Sequence, residues 1–368
     1  MSRFFRLFSI LLVPLCAALA QNPPTPQLQP RPTGPSRPAA AGPEQQITLD
    51  VQVTDKSGTP IRGLQKQDFI LLDDKRPQDI LSFQTVGGAS AKTDPPVEII
   101  LVVDAVNASP QAVAYERGEV KKFLLQNGGK LAQPVSLVVF TDSGTKVQDG
   151  SSRDGNALAT LYDQYETGFR SINRSQGFYG AAERFDMSLK ILTSIAGDEE
   201  TRPGRKLMIW ISPGWPLLTG PGIELSRRDE RQLFNLIVSA STVLQQARIT
   251  LYGVDPLGLA DAGGTRITYY EEFLKGVATP SRAVAADLSL QVLAVQSGGR
   301  VVNSSNSITT EVADCAADAD AFYVLSFNPS PADQPDEYHS LAVTVDKPGV
   351  KVRTRSGYYD QPVNSVAR

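Results

Sequence analysis

The most continuous apolar stretch of the chain runs from Val97 to Val103, where Glu98 is the only polar residue. A half-exposed antiparallel strand alternates, so an unbroken run of this length reads as a strand covered on both faces by helices. Asp104 follows directly, at the carboxyl end of that strand, where open α/β sheets hold their ligands. Further apolar runs repeat the pattern at Val135–Phe140, Lys206–Ser212, Ile249–Asp255 and, more briefly, Gly298–Val302. Between them, segments of helical period cover Tyr115–Gln126, Asn156–Tyr165, Tyr179–Ile195, Leu225–Gln246, Ser281–Gln296 and Ile308–Ala319, and Thr145–Gln148 suits a short antiparallel edge strand. Strands alternating with helices predict an α/β domain: a doubly wound, mainly parallel, Rossmann-like sheet over residues 96–305.

The flanking segments show a different period. Ile47, Leu49, Val51 and Val53 alternate with Thr48, Asp50, Gln52 and Thr54, predicting a strand with one wet face. Two short strands, Phe69–Leu72 and Ile80–Gln84, are expected around an Asp73–Arg76 turn. At the other end, Phe322–Ser330, Leu341–Val345 and Val350–Arg353 read as strands, the last two joined as a hairpin by Asp346–Gly349. Segments 47–90 and 306–360 are each too small to support a core alone. The economical expectation is one β-sandwich built from both, with the α/β domain inserted between them; two separate hairpins packed on that domain are the other possibility.

The first 20 residues place Arg3 and Arg6 before an apolar core and end in Ala18-Leu19-Ala20, the pattern of a cleaved secretory signal. This predicts a periplasmic or extracellular protein. Lipidation at Cys16 is disfavoured by the bulky Leu15 before it, and an uncleaved anchor is the remaining alternative. Residues 21–46, rich in Pro, Gln, Ala and Gly, read as a disordered tether, and 361–368 as a tail.

Composition narrows the chemistry. A net charge of −3 gives no case for nucleic acid. One histidine, His339, removes most Ser-His-Asp and His-ligated metal designs; it sits beside a predicted surface strand and reads as solvated. Without Cys16 the chain keeps one cysteine, Cys315, read as a small buried apolar residue. The charge run Arg227–Arg231 reads as the wet start of a helix. Gly263–Arg266 is not a phosphate loop, and the glycosylation-type triplets at Asn107 and Asn173 carry little weight. The candidate ligand rim is Asp104, Asn107, Asp142 with Thr141, Ser212, Trp215 and Asp255, all at the carboxyl ends of predicted strands. Asp104 and Asp255 are also natural turn-capping acids, and Trp215 is either a contact anchor or a lid folded back over the sheet.

Three blocks carry a family resemblance: VQVTDKSGTPIRGLQKQDFILLDDKRPQDILSF; VEIILVVDAVNAS with RKLMIWISPG and ITLYGVDPLGL; and FYVLSFNPS with the terminal KVRTRSGYY. Together they resemble the secreted von Willebrand factor A (VWA)-related proteins described mainly from Acidobacteria. The resemblance implies a VWA fold, export, and binding of a protein or cell-surface ligand. It also raises a metal question, since metal-binding VWA domains hold Mg²⁺ through Asp-x-Ser-x-Ser, a Thr, and a later Asp. Here Asp104 matches, but Val106 and Ala108 stand at the serine positions, with Asn107 and Ser109 one residue out of register. No Thr lies between Gly168 and Leu192, where Ser171, Ser175, Tyr179 and Ser188 are the hydroxyls, and Ser212-Pro213-Gly214 replaces Thr-Asp-Gly. The expectation is a non-enzymatic binding protein with no cofactor and a degenerate metal-ion-dependent adhesion site. The alternatives are a Mg²⁺-dependent adhesion module using Asp104 and Ser109, and a hydrolase, against which the lack of a nucleophile elbow argues.

Overall fold

A computed structural model describes residues 46–87, 97–142, 144–166, 177–216, 218, 225–256, 269–303, 305 and 307–362. The expected signal segment, the tether apart from Gln46, the tail beyond residue 362, Ser171, Asn173, Ser175 and Gly263–Arg266 lie outside the described residues. No described helix is long and apolar enough to cross a membrane.

The N-terminal segment supplies four strands, β1 (Ile47–Thr54), β2 (Phe69–Asp73), β3 (Arg76–Gln78) and β4 (Ser82–Val86). The α/β domain follows as β5 (Glu98–Asp104), α1 (Pro110–Leu124), β6 (Lys130–Thr141), β7 (Gly144–Val147), β8 (Ser152–Asp154), α2 (Gly155–Glu166), α3 (Phe178–Glu200), β9 (Lys206–Ile211), α4 (Arg227–Gln246), β10 (Ile249–Val254), α5 (Leu290–Gln296), β11 (Val301–Val302) and α6 (Ile308–Ala316). The chain closes with β12 (Phe322–Phe327), β13 (Glu337–Val345), β14 (Lys351–Arg353) and β15 (Gly357–Asp360).

The central sheet has the order β11-β10-β9-β5-β6-β7, with β8 also on β6. Strands β11, β10, β9, β5 and β6 run parallel, and β7 and β8 are antiparallel to β6. This is the doubly wound, mainly parallel arrangement expected from the apolar runs. Alternate residues of each strand feed opposite cores. Ile100, Val102, Met208 and Trp210 pack against α3, α4 and α5, while Ile99, Leu101, Val103 and Ile209 pack against α1, α2 and α6. Each fully buried aliphatic side chain contributes about 1.5–3 kcal/mol, and both faces are filled, so the parallel strands tolerate almost no polar residue.

Helix α1 begins five residues before the predicted Tyr115. Ser109 caps it by accepting the Ala112 amide at 3.2 Å, and Pro110 occupies the first turn, where its missing N–H costs nothing. The long helix α4 starts on a reciprocal box in which Ser226 Oγ accepts the Asp229 amide and Asp229 Oδ2 accepts the Ser226 amide. The predicted 281–296 helix is α only from Leu290; two short 3₁₀ turns, Pro280–Arg282 and Ala285–Leu288, precede it.

The two terminal segments interleave in two antiparallel sheets, β14-β1-β12-β4 and β15-β13-β2-β3. They share one core of Leu49, Val51, Phe69, Leu71, Leu325, Phe327, Val343 and Tyr358, among others. Two local expectations fail here. Strands β13 and β14 form no hairpin: β13 pairs β2 and β15, whereas β14 crosses to β1 in the other sheet. Likewise β2 turns back onto β3, and β4 crosses to β12. A turn signal tells where the chain reverses, not which sheet receives the next strand. The wet face expected for β1 is also corrected. Gln52 and Thr54 are buried, and Gln52 Nε2 donates to the Asp318 carbonyl at 2.5 Å.

That contact belongs to a polar seam within the compact unit Pro43–Arg368. The Asp318 carboxylate accepts from Tyr252 Oη at 2.8 Å and from Arg353 Nη2 at 2.7 Å, and its carbonyl also accepts from Arg205. Arg248 pairs with Asp50 at 2.5 Å, and Arg205 lies 4.5 Å over the Phe322 ring. The sandwich is therefore tied to the α/β sheet by charge-assisted bonds as well as by packing.

Candidate functional site

Strand β5 is flanked by β6 on one side and β9 on the other, so the chain leaves it in opposite directions and a switch point lies at its carboxyl end. Asp104 occupies that point with no solvent exposure. Its Oδ1 accepts the backbone amides of Val106 and Asn107, both at 3.0 Å. Its Oδ2 accepts Asn107 Nδ2 at 2.8 Å and the Trp210 indole N–H at 2.9 Å, and the Ser212 hydroxyl also reaches the carboxylate. Burial raises the Asp104 pKa above its ordinary value, and these hydrogen bonds oppose the shift. The turn-capping reading of Asp104 is what the geometry shows.

The neighbours follow from the same local chemistry. Asn107 Nδ2 also lies 2.8 Å from Ser188 Oγ on α3, and Ser188 in turn donates to the Arg184 carbonyl. Ser109, the second residue considered for a cation, spends its hydroxyl on the α1 cap. Ser212 is buried, takes a backbone bond to Val254 and accepts the Gly214 amide at 3.2 Å. Gly214 has φ +99°, and a β-carbon there would collide with the Gln291 side chain. The bend that only glycine suits turns Trp215 back under the loop.

Trp215 is 3% exposed and meets Trp210 edge-on at 5.3 Å. The contact-anchor reading is thereby corrected: the ring covers the sheet, because the apolar face above Trp210 and Phe140 offers it more burial than the rim does. Asp142 and Asp255 are partly exposed at the strand ends. Asp104, Asn107 and Ser212 thus form one bonded cluster with Ser188 and Trp210, two residues that strand-end reasoning does not single out.

Sequence reasoning also missed Glu116. It lies on the inner face of α1, in the row Ala112, Glu116, Val120, and both of its carboxylate oxygens are buried without a hydrogen-bond partner among the described residues. Burial, with the nearby Asp104 and Asp255 charges, pushes its pKa well above the ordinary value. The signal was present in the sequence as an acid at helical spacing within an apolar row.

His339 is the second correction. It is buried, stacked on Tyr358 with ring centroids 5.0 Å apart, because β13 turns this residue inward under β15 rather than out to solvent. Asp73 and then Asp74, which face it, raise its pKa above the usual imidazole value. Cys315 is fully buried, and burial pushes its thiol up to about 12, in keeping with a packing role.

No protein-family model matches the chain, and no curated protein matches its sequence. Among solved structures, the pilus adhesin SpaC from Lactobacillus rhamnosus GG, in an open conformation, aligns with TM-score 0.38 and 12% identity, over 85% of this chain and 48% of the adhesin. The manganese-loaded TRAP protein of Plasmodium vivax aligns with TM-score 0.33 and 10% identity, over 75% of this chain and 97% of that one. The SpRpn10 VWA domain aligns with TM-score 0.25 and 12% identity, over 52% of this chain and 93% of that domain. The chain spans about half the length of the pilus adhesin it matches.

Proposed function

We propose that this protein is an exported, non-enzymatic member of the secreted VWA-related type, and that it binds a protein or surface ligand at the β5/β9 rim without a metal ion at Asp104. The observation that carries the proposal is the donor set around that carboxylate. Both oxygens accept N–H groups at 2.8–3.0 Å, and the positions that supply hydroxyl ligands in metal-binding VWA domains are Val106 and Ala108. A hexacoordinate Mg²⁺ needs converging oxygens at about 2.0–2.1 Å, and this cluster presents amide and indole nitrogens instead. The residues do not fit the ion.

The case against catalysis is similar in kind. The single histidine belongs to the sandwich, so the rim hydroxyl of Ser212 has no imidazole base. Export rests on the leader of the sequence.

The test is photo-crosslinking on native cell envelope, from a probe residue placed at Asp142, in EDTA and again in Mg²⁺. A discrete adduct of equal yield in both conditions supports the reading. An adduct that needs Mg²⁺ and vanishes in Asp104→Asn replaces it with the cation-dependent one. Edman sequencing of the mature protein should start at Gln21; an intact Met1 refutes export by cleavage.

A further inference from the structure

We propose that Asp73, Asp74 and His339 form a divalent-metal site of the zinc class that joins the first and last segments of the chain. The site is independent of the rim. Its three prospective ligand atoms, one from each residue, lie within 4.8 Å of one another.

Each carboxylate is held by one oxygen and offers the other. Asp73 Oδ2 accepts Tyr358 Oη at 2.9 Å and the Ser330 amide at 3.0 Å, while Asp73 Oδ1 is buried with no hydrogen-bond partner among the described residues. Asp74 Oδ1 accepts the Ser340 amide at 2.8 Å and the Ser340 hydroxyl at 2.9 Å. Its Oδ2 points to the same place as Asp73 Oδ1: His339 Nδ1, which is 3.5 Å from Asp73 Oδ1 and 3.2 Å from Asp74 Oδ2. These anchors are the outer-shell bonds that orient metal-binding carboxylates.

The imidazole supplies the independent observation. His339 is 3% exposed, and among the described residues neither ring nitrogen has a partner in hydrogen-bond geometry; Nδ1 meets the two carboxylates only as an ion-pair contact. Bulk water cannot satisfy a ring so buried, and stacking on Tyr358 fixes its plane. A tetrahedral ion with bonds of about 2.0–2.1 Å sets its ligands about 3.3 Å apart. The two separations to Nδ1 bracket that edge. Nδ1 carries at most one proton, so it can bond only one of the two carboxylates, whereas one cation serves both. Imidazole nitrogen with carboxylate oxygen is a ligand set that suits zinc. The Asp74 side chain is 45% exposed, which leaves an approach for the ion and a fourth position for water.

The experiment uses the untagged full chain, stripped with EDTA. Because the protein has one histidine, its imidazole C–H signals in the NMR spectrum report this site alone. Calorimetry should show one Zn²⁺ per chain, the imidazole signals should move to saturation at that ratio, and Co²⁺ should give the visible bands of a tetrahedral complex. Asp74→Asn keeps the oxygen that accepts from Ser340 and retains the fold; it should weaken Zn²⁺ binding by about 100-fold or more. Asp104→Ala should bind Zn²⁺ as the wild type does. Imidazole signals unmoved at stoichiometric Zn²⁺ overturn the site, as does binding that survives Asp74→Asn or is lost in Asp104→Ala.

Discussion

Replacing Asp104 by alanine separates a hydrogen-bonding role from a metal-binding one by the sign of the effect in EDTA. Four N–H donors lose their acceptor: the Val106 and Asn107 amides, Asn107 Nδ2 and Trp210 Nε1. Asn107 is only partly buried and can recover water, but Trp210 is fully buried and Val106 nearly so. Each buried donor left unsatisfied costs about 1–3 kcal/mol, and removing a desolvated carboxylate returns part of that, so the net loss should be about 3 kcal/mol. At about 2 °C per kcal/mol for a chain of this size, the midpoint should fall by about 6 °C. Asp104→Asn restores the two backbone bonds, and the Asn107 amide can turn its unpartnered Oδ1 toward the new NH₂. Only the indole is then orphaned, for a loss of about 1 kcal/mol.

Urea unfolding followed by tryptophan fluorescence is the assay, since the chain has two tryptophans and both are buried, Trp210 bonded to Asp104 and Trp215 packed on Trp210. The expected order of stability in EDTA is wild type, then Asn, then Ala, unchanged by 10 mM Mg²⁺. A carboxylate poised for a cation behaves in the opposite way: its removal relieves an unpaired charge and abolishes a Mg²⁺-induced rise of about 1.4 kcal/mol for a Kd of about 1 mM. An Ala variant as stable as the wild type in EDTA, or a Mg²⁺ stabilisation that it loses, refutes the reasoning.

Glu116→Met removes two unpartnered buried oxygens and should stabilise the protein by about 1–3 kcal/mol at pH 8. The folded-state pKa is raised above 4.5, so the wild type loses stability as pH climbs from that value toward the folded pKa; the gain should shrink at pH 4, and a pH-independent difference in chemical denaturation would contradict this. Asp318→Ala leaves Tyr252 and Arg353 without their shared acceptor and should cost about 2 kcal/mol, read as a lower urea midpoint; an unchanged midpoint would mean the seam adds nothing. Cys315 should resist a thiol reagent in native buffer and react once urea unfolds the chain, and rapid native labelling would contradict its burial.

Much of the fold was legible because period and length report burial directly. The apolar runs ending at Asp104, Ser212 and Asp255 specified parallel strands and their ligand-side ends, and Thr145–Gln148 specified an antiparallel edge, without any long-range information. The side-chain alternation of β1 was equally plain, yet its polar face proved buried, because only packing against the α/β domain decides whether Gln52 meets water or Asp318. The two failed hairpins have the same cause. Local turn chemistry sets a reversal, while which sheet accepts β4 or β14 depends on a core assembled from residues more than 200 positions apart.

The site divides along the same line. That Asp104 lacks hydroxyl partners at 106 and 108 is a fact of the sequence, and the Val106 and Asn107 amides that bond it are local; that the Trp210 indole joins them depends on β9 lying beside β5. His339 lies 265 positions beyond Asp74 in the chain, and no motif links it to Asp73 and Asp74. Strand pairing between the two ends of the protein brings them together, because neither end can bury its apolar face without the other.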